Sequence, residues 1–212
     1  MLFADTDALA KLCAWDLYDE ACRLLGAAPS DVCVVGAEKY QIRADRQGRW
    51  VARLTDAGRL RALTAFQSGR DEFPISEADA DLLLSIEQRD DTFRVDEGER
   101  VLVAGVLYHS GSLLTTGDKN ALRALSAEPA CVGICQRLDG RVVHLEQVIL
   151  RLIDDLGFEV VRARIVPVRQ CDEAVRAAFG SGMQATEASV RGYLEQSIAE
   201  LRLASGSLLA VN

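Results

Sequence analysis

The chain begins Leu2-Phe3-Ala4-Asp5-Thr6-Asp7-Ala8-Leu9. Three apolar residues run into an acid, and a helical pattern of apolar positions starts at once. This predicts a short buried strand, Leu2 to Asp5, that delivers a carboxylate to the point where strand becomes helix. In an open α/β sheet, sites form at the carboxyl ends of the strands. The decisive question for the remaining chain is whether other acids arrive at the same edge.

Working outward, apolar runs alternate with helical patterns. A helix spans roughly Asp7 to Leu25, broken near Ala14-Trp15-Asp16 and closed by Gly26. Asp31 to Val35 reads as a second strand, and Gly36 opens a helix that contains Glu38. Thr55 or Asp56 caps a helix running to about Gln67. Ser76 and Asp79 form a capping pair for a helix from Glu77 to Gln88. Another helix starts at Asp96-Glu97-Gly98-Glu99 and ends at Ser110-Gly111. Ser112 to Thr116 is a third strand, followed by a turn and a helix from Ala121 to Ala127. Cys131 to Cys135 reads as a fourth strand and Phe158 to Val166 as a fifth, on either side of a helix from Leu145 to Leu156. Beyond Val168 the chain is helical and polar. Its last helix, Thr186 to about Ala204, carries one apolar stripe of Val190, Leu194, Ile198 and Leu201, expected to dock on its own core.

Short apolar strands separated by helices argue for a parallel sheet covered by helices. The expected architecture is three-layer α/β/α, with a central parallel sheet of about five strands. Residues 1–140 form the core, and residues 141–212 supply the fifth strand and a helical extension packed on it. Right-handed crossovers bring every strand's carboxyl end to one side.

Composition narrows the class. The 212 residues are 49% apolar and 26% charged, ordinary for a soluble globular protein. No apolar run reaches the ~20 residues of a membrane span, and no secretory pattern opens the chain. A cytoplasmic location is expected. The six Cys lack metal spacing, Cys131 and Cys135 included, and read as reduced core thiols. His109 and His144 read as a helix-end and a strand-to-helix histidine. Net charge is −8, but unevenly spread: Lys39 to Arg70 holds eight basic residues against two acids, and Asp71 to Glu99 eleven acids against two bases. That suits a polyanion-binding flank beside a metal pocket, or two solvated helix faces of opposite sign.

Four acids recur at the expected edge. Asp5 ends strand one, Glu38 follows strand two, Glu99 opens the helix before strand three, and Asp118 follows strand three. Each also has a local use. Asp5 and Asp118 can cap helices, Glu38 favours a helix N-terminus through the macrodipole, and Asp96 with Glu99 has capping-box spacing. Convergence of all four would imply bound cations or raised pKa values. Mg²⁺ or Mn²⁺ held by carboxylates can make a water nucleophilic and relieve charge on a leaving oxygen.

The order and surroundings of these acids resemble PIN domain nucleases. Phe3-Ala4-Asp5-Thr6-Asp7-Ala8-Leu9 is similar to the family's opening strand. Val34-Val35-Gly36-Ala37-Glu38 is similar to its second acid motif. Gly98-Glu99-Arg100-Val101-Leu102-Val103-Ala104-Gly105 resembles its third, with Asp96 competing for the role. Leu113-Leu114-Thr115-Thr116-Gly117-Asp118 resembles its fourth. The resemblance covers roughly residues 1 to 135. It implies a metal-dependent endoribonuclease in which Asp5, Glu38, Glu99 and Asp118, with Asp96, hold Mg²⁺ or Mn²⁺. Thr6 and Asp7 would be auxiliary, and Arg43, Arg46 and Arg49 would contact the RNA backbone. An antitoxin or other protein partner, or a homodimer, would also fit the family. Two alternatives stand beside it: a phosphatase resembling haloacid dehalogenases, with Asp5 as nucleophile and Asp7 as acid/base, and a PIN-like domain that binds RNA or protein without cutting.

Overall fold

The computed structural model describes residues 1–35 and 54–211. Four short strands form one parallel sheet in the order β2-β1-β3-β4. They are β1 (Leu2–Ala4), β2 (Val32–Cys33), β3 (Leu113–Thr116) and β4 (Val142–His144). Leu2 pairs with Val32 on one side and with Leu113 on the other, and Thr116 lies opposite His144. Single bridges from Cys33 to Arg70 and from Val142 to Leu209 extend the two edges. The strands are short because each is buried and its polar neighbours leave the sheet at once. Parallel pairing sends Asp5, Gly117 and His144 to one edge.

Helices make up most of the described chain. In order they are α1 (Thr6–Ala14), α2 (Tyr18–Leu24), α3 (Asp56–Ser68), α4 (Glu77–Glu87), α5 (Glu97–Tyr108), α6 (Lys119–Ala127), α7 (Val132–Leu138), α8 (Leu145–Leu156), α9 (Phe158–Ile165), α10 (Glu173–Ala178) and α11 (Glu187–Ser205). The expected break after Ala14 is present. Asp16 has φ 59°, a left-handed conformation that Asp tolerates better than most residues. The Asp16 carbonyl accepts a 2.6 Å bond from Arg164, which pins the turn. No helix among the described residues is long and apolar enough to cross a membrane.

The architecture is α/β with a helical majority, and the sheet has four strands where about five were expected. Both differences come from reading period from short apolar runs. The expected fourth strand, Cys131 to Cys135, is helical. Pro129 starts a 3-10 turn capped by Glu128, and α7 buries Ile134 and Leu138, four apart on one face. The sheet position falls instead to Val142–His144, a run too short to stand out. The expected fifth strand, Phe158 to Val166, is α9. Its buried residues are Phe158, Val161 and Ile165, spaced three and four apart, while Val160 is 41% exposed. That period is helical, not alternating. Residues 141–212 thus supply β4 to the sheet, and one continuous buried cluster runs from Leu2 to Ala210.

Two contacts fix how α5 lies over the sheet. A Cβ on Gly105 would stand 2.4 Å from Phe3 and 3.0 Å from Phe73, so only glycine allows this approach. Arg141 reaches from the start of β4 to the end of α5, donating to the carbonyls of Val106 and His109. These are carbonyls a helix end leaves without partners. The stripe Val190, Leu194, Ile198 and Leu201 is fully buried, so α11 docks on its own core as expected, against α6, α8 and α10.

Candidate functional site

At the carboxyl edge of the sheet lies a cleft of about 770 Å³. Asp5, Asp7, Asp96, Glu99 and Asp118 all line it, together with Asp172, Lys11 and Lys119. Asp5, Asp96, Glu99 and Asp118 also perform their local capping roles. Asp5 is the N-cap of α1 and accepts from the Asp7 amide at 3.4 Å. Asp96 and Glu99 form a complete capping box on α5. Asp118 caps α6 through the amides of Asn120 and Ala121. Capping and convergence coexist because a strand-to-helix junction turns the cap side chain toward the sheet edge.

Burial strips water from part of this set. Asp5 and Glu99 border a small apolar crevice lined by Leu102, Val103, Leu114, Leu122 and Leu125. Desolvation, then the charge of Asp7, pushes Asp5 from its ordinary 3.8 up to about 6. Desolvation, then Asp118, Asp96 and Asp5, pushes Glu99 from 4.5 up to about 8, although a bond from the Asp96 amide works the other way. The acids are thus near enough to oppose one another's ionisation.

A second set of acids carries its own cation. Lys11, one turn after Asp7, is buried between Asp7 and Asp172, with its Nζ 2.7 Å from Asp172. Burial opposes the lysine's charge, but the two carboxylates outweigh it and hold its pKa above the ordinary value. Burial also opposes ionisation of Asp172, but Lys11 and the Val175 amide overcome it and keep that carboxyl below its usual range. Asp7 goes the other way: burial outweighs Lys11, and Asp172 and Asp118 add repulsion. Gly117 packs beside this pair, 3.5 Å from the Asp7 carboxylate to its virtual Cβ.

Beneath the cleft, Lys119 Nζ is held by Glu146 at 2.6 Å and Ser197 at 2.6 Å. Glu146 is buried, and its other oxygen has no hydrogen-bond partner. His144, at the end of β4, caps α8. Burial, then Lys119, lowers it to about 4, so it is neutral near pH 7. In that form Nε2–H donates to the Gly117 carbonyl at 3.2 Å, and Nδ1 accepts from the Glu146 amide. It braces the Gly117–Asp118 turn. Cys171 lines the cleft too, but burial raises its thiol to about 12, which leaves little nucleophilic thiolate. All six cysteines are free.

No family model matches this chain, and neither curated proteins nor solved structures give a match. The site's chemistry therefore rests on its own residues. Hard carboxylate oxygens without a neutralising cation are the right donors for Mg²⁺ or Mn²⁺. Among the described residues, no three His, Cys, Asp or Glu side chains stand close enough to form a ready ligand set. Glu38, Arg43, Arg46 and Arg49 lie outside the described residues. Thr6 is buried with its hydroxyl unpartnered and does not line the cleft. Sequence reasoning passed over Lys11, Asp172 and Glu146. The spacing of Asp7 and Lys11 is a legible helical ion pair. Asp172 sits in the polar helical stretch beyond Val168 and has no local signal, because its approach to Lys11 spans 161 residues.

Proposed function

We propose that the cleft is the site of a metal-dependent endoribonuclease. The observation that carries this reading is the gathering of Asp5, Glu99 and Asp118 at one sheet edge, where burial and mutual repulsion raise Asp5 to about 6 and Glu99 to about 8. Structural acids have no reason to accept that cost at both Asp5 and Glu99 without a cation to relieve it. Asp5, Glu99 and Asp118 would have to draw closer than they stand here to hold Mg²⁺ or Mn²⁺, with Asp96 beside them and Glu38 as the further acid the resemblance implies. The bound ion would supply Lewis-acid activation of water and charge relief on the leaving oxygen.

The chain's own residues do the remainder. Glu99, raised to about 8, holds a proton near pH 7 and would have to give it up to serve as a ligand. Lys119, anchored by Glu146 and Ser197, fixes the first turn of α6, which Asp118 caps. Lys11 holds Asp7 and Asp172 in place, so Asp7 supports the site through that ion pair. A homodimer and a dedicated protein partner stay open within this reading.

The test is cleavage of single-stranded RNA with and without Mn²⁺, comparing wild type with Asp5→Asn and Asp118→Asn. Both substitutions are expected to lower metal-dependent cleavage by roughly 10³-fold. Unchanged metal-dependent cleavage in both variants would sink the reading. Hydrolysis of a small phosphomonoester with intact RNA would move the site to the phosphatase class. RNA binding with no turnover would leave a binding domain.

A further inference from the structure

Tyr193, Arg123 and Arg176 line the same cleft, and among the described residues none bonds to Asp5, Glu99 or Asp118. Tyr193 is 42% exposed on α11, outside the buried stripe of that helix, as is Leu203 at 89%. Both arginines are exposed and, among the described residues, make only long contacts: Arg123 reaches Asn120 Oδ1 at 3.4 Å, and Arg176 reaches Glu173 at 4.0 Å. The other cations of the cleft are committed, Lys11 to Asp7 and Asp172 and Lys119 to Glu146. The three side chains come from α6, α10 and α11, and α11 packs on both of the others, so rigid helices hold the group.

An exposed aromatic ring that shares a cleft with two loosely held guanidinium groups is poor chemistry for a small anion. It suits a chain of alternating bases and phosphates, because an unpaired base stacks on the ring while phosphates meet the arginines. A duplex hides its base faces and cannot use the ring. We propose that Tyr193, with Arg123 and Arg176, is the platform on which single-stranded nucleic acid is seated as it enters the cleft. This rests on the reading of the cleft as a phosphodiester-cutting site and adds that its substrate is unpaired and held by the C-terminal helices.

Fluorescence anisotropy in EDTA, where no cutting occurs, tests this with labelled oligouridylate, oligodeoxyuridylate of equal length and an RNA duplex. Wild type is expected to bind a single strand better than the duplex. Whichever of the two strands binds more tightly identifies the sugar recognised. Tyr193→Ala should weaken binding roughly 5- to 150-fold, and Tyr193→Phe should stay within about 2-fold. The double variant Arg123→Ala/Arg176→Ala should reduce the slope of log affinity on log salt by about 1.4. Equal binding by Tyr193→Ala and wild type, tighter binding of the duplex, or no binding of either strand overturns the platform. Cleavage reads out separately. A wild type that binds through Tyr193 but never cuts removes the nuclease reading alone. Metal-dependent cutting with Tyr193→Ala binding unchanged removes the platform alone.

Discussion

Asp7 and Asp172 share Lys11, whereas Asp5, Glu99 and Asp118 form no ion pair among the described residues. The two groups line one cleft and differ in what they need. On the first flank the protein supplies the cation itself, and Asp172 ionises more readily than usual despite its burial. On the second, burial is met by more negative charge, and Asp5 and Glu99 resist ionisation. A lysine is a fixed counter-ion, set by sequence and present in every molecule. An external ion is conditional on concentration and pH, and leaves open positions for water or substrate. The contrast separates a flank neutralised in part by its own lysine, where Asp7 alone still resists ionisation, from one with no such partner.

Breaking the lysine-bearing flank should have the largest effect. Lys11→Met leaves Asp7 and Asp172 without their cation and should destabilise the fold by about 3 kcal/mol in urea unfolding. A loss below about 1 kcal/mol would mean that the ion pair is incidental. Glu146→Gln tests the anchor of Lys119. It should lower cleavage roughly 10- to 100-fold with little change in metal requirement, as loss of a supporting partner does. An unchanged rate would remove Lys119 from the site.

The pH dependence of stability separates the flanks next. A carboxyl whose folded pKa is raised stabilises the fold only while protonated. Glu99's contribution is therefore full below its ordinary 4.5 and is lost as pH rises toward about 8. Thermal melts should show wild type losing several degrees across that window, at ~2–4 °C per kcal/mol for a chain of this size. Glu99→Gln should flatten the fall, and millimolar Mn²⁺ should reverse it more at the alkaline end than at the acid end. A melting temperature flat in pH, or insensitive to Mn²⁺ throughout, would show that the second flank needs no cation. The smallest effect is electrostatic. Asp118→Asn should lower the apparent pKa of Glu99 in an NMR titration and leave Asp172 nearly unmoved, because Asp118 is among the charges that raise Glu99 and is absent from the main influences on Asp172.

Much of this was legible in residue order. Leu2-Phe3-Ala4-Asp5 could be read as a strand ending in a cap, since apolar run, acid and helical period follow without a gap. The same logic found β3, the capping box at Asp96 and Glu99, the break at Asp16 and the buried stripe of α11. It failed where runs were too short for period to speak. Phe158 to Val166 shows its three-and-four spacing only once the exposed Val160 is known, and Val142–His144 is a three-residue strand with no signal of its own.

By itself, then, the sequence determined which junctions carry acids, because caps and strand ends follow from neighbours a few residues apart. It also determined that α11 would bury one face. Only the tertiary structure decided which acids share a cleft, which one receives a lysine, and that Asp172 and Tyr193 join from the far end of the chain. Those outcomes depend on contacts between residues as far apart as Lys11 and Asp172. Local pattern carries no record of such distances, since burial and charge pairing are set by the packed fold and not by the adjacent residues.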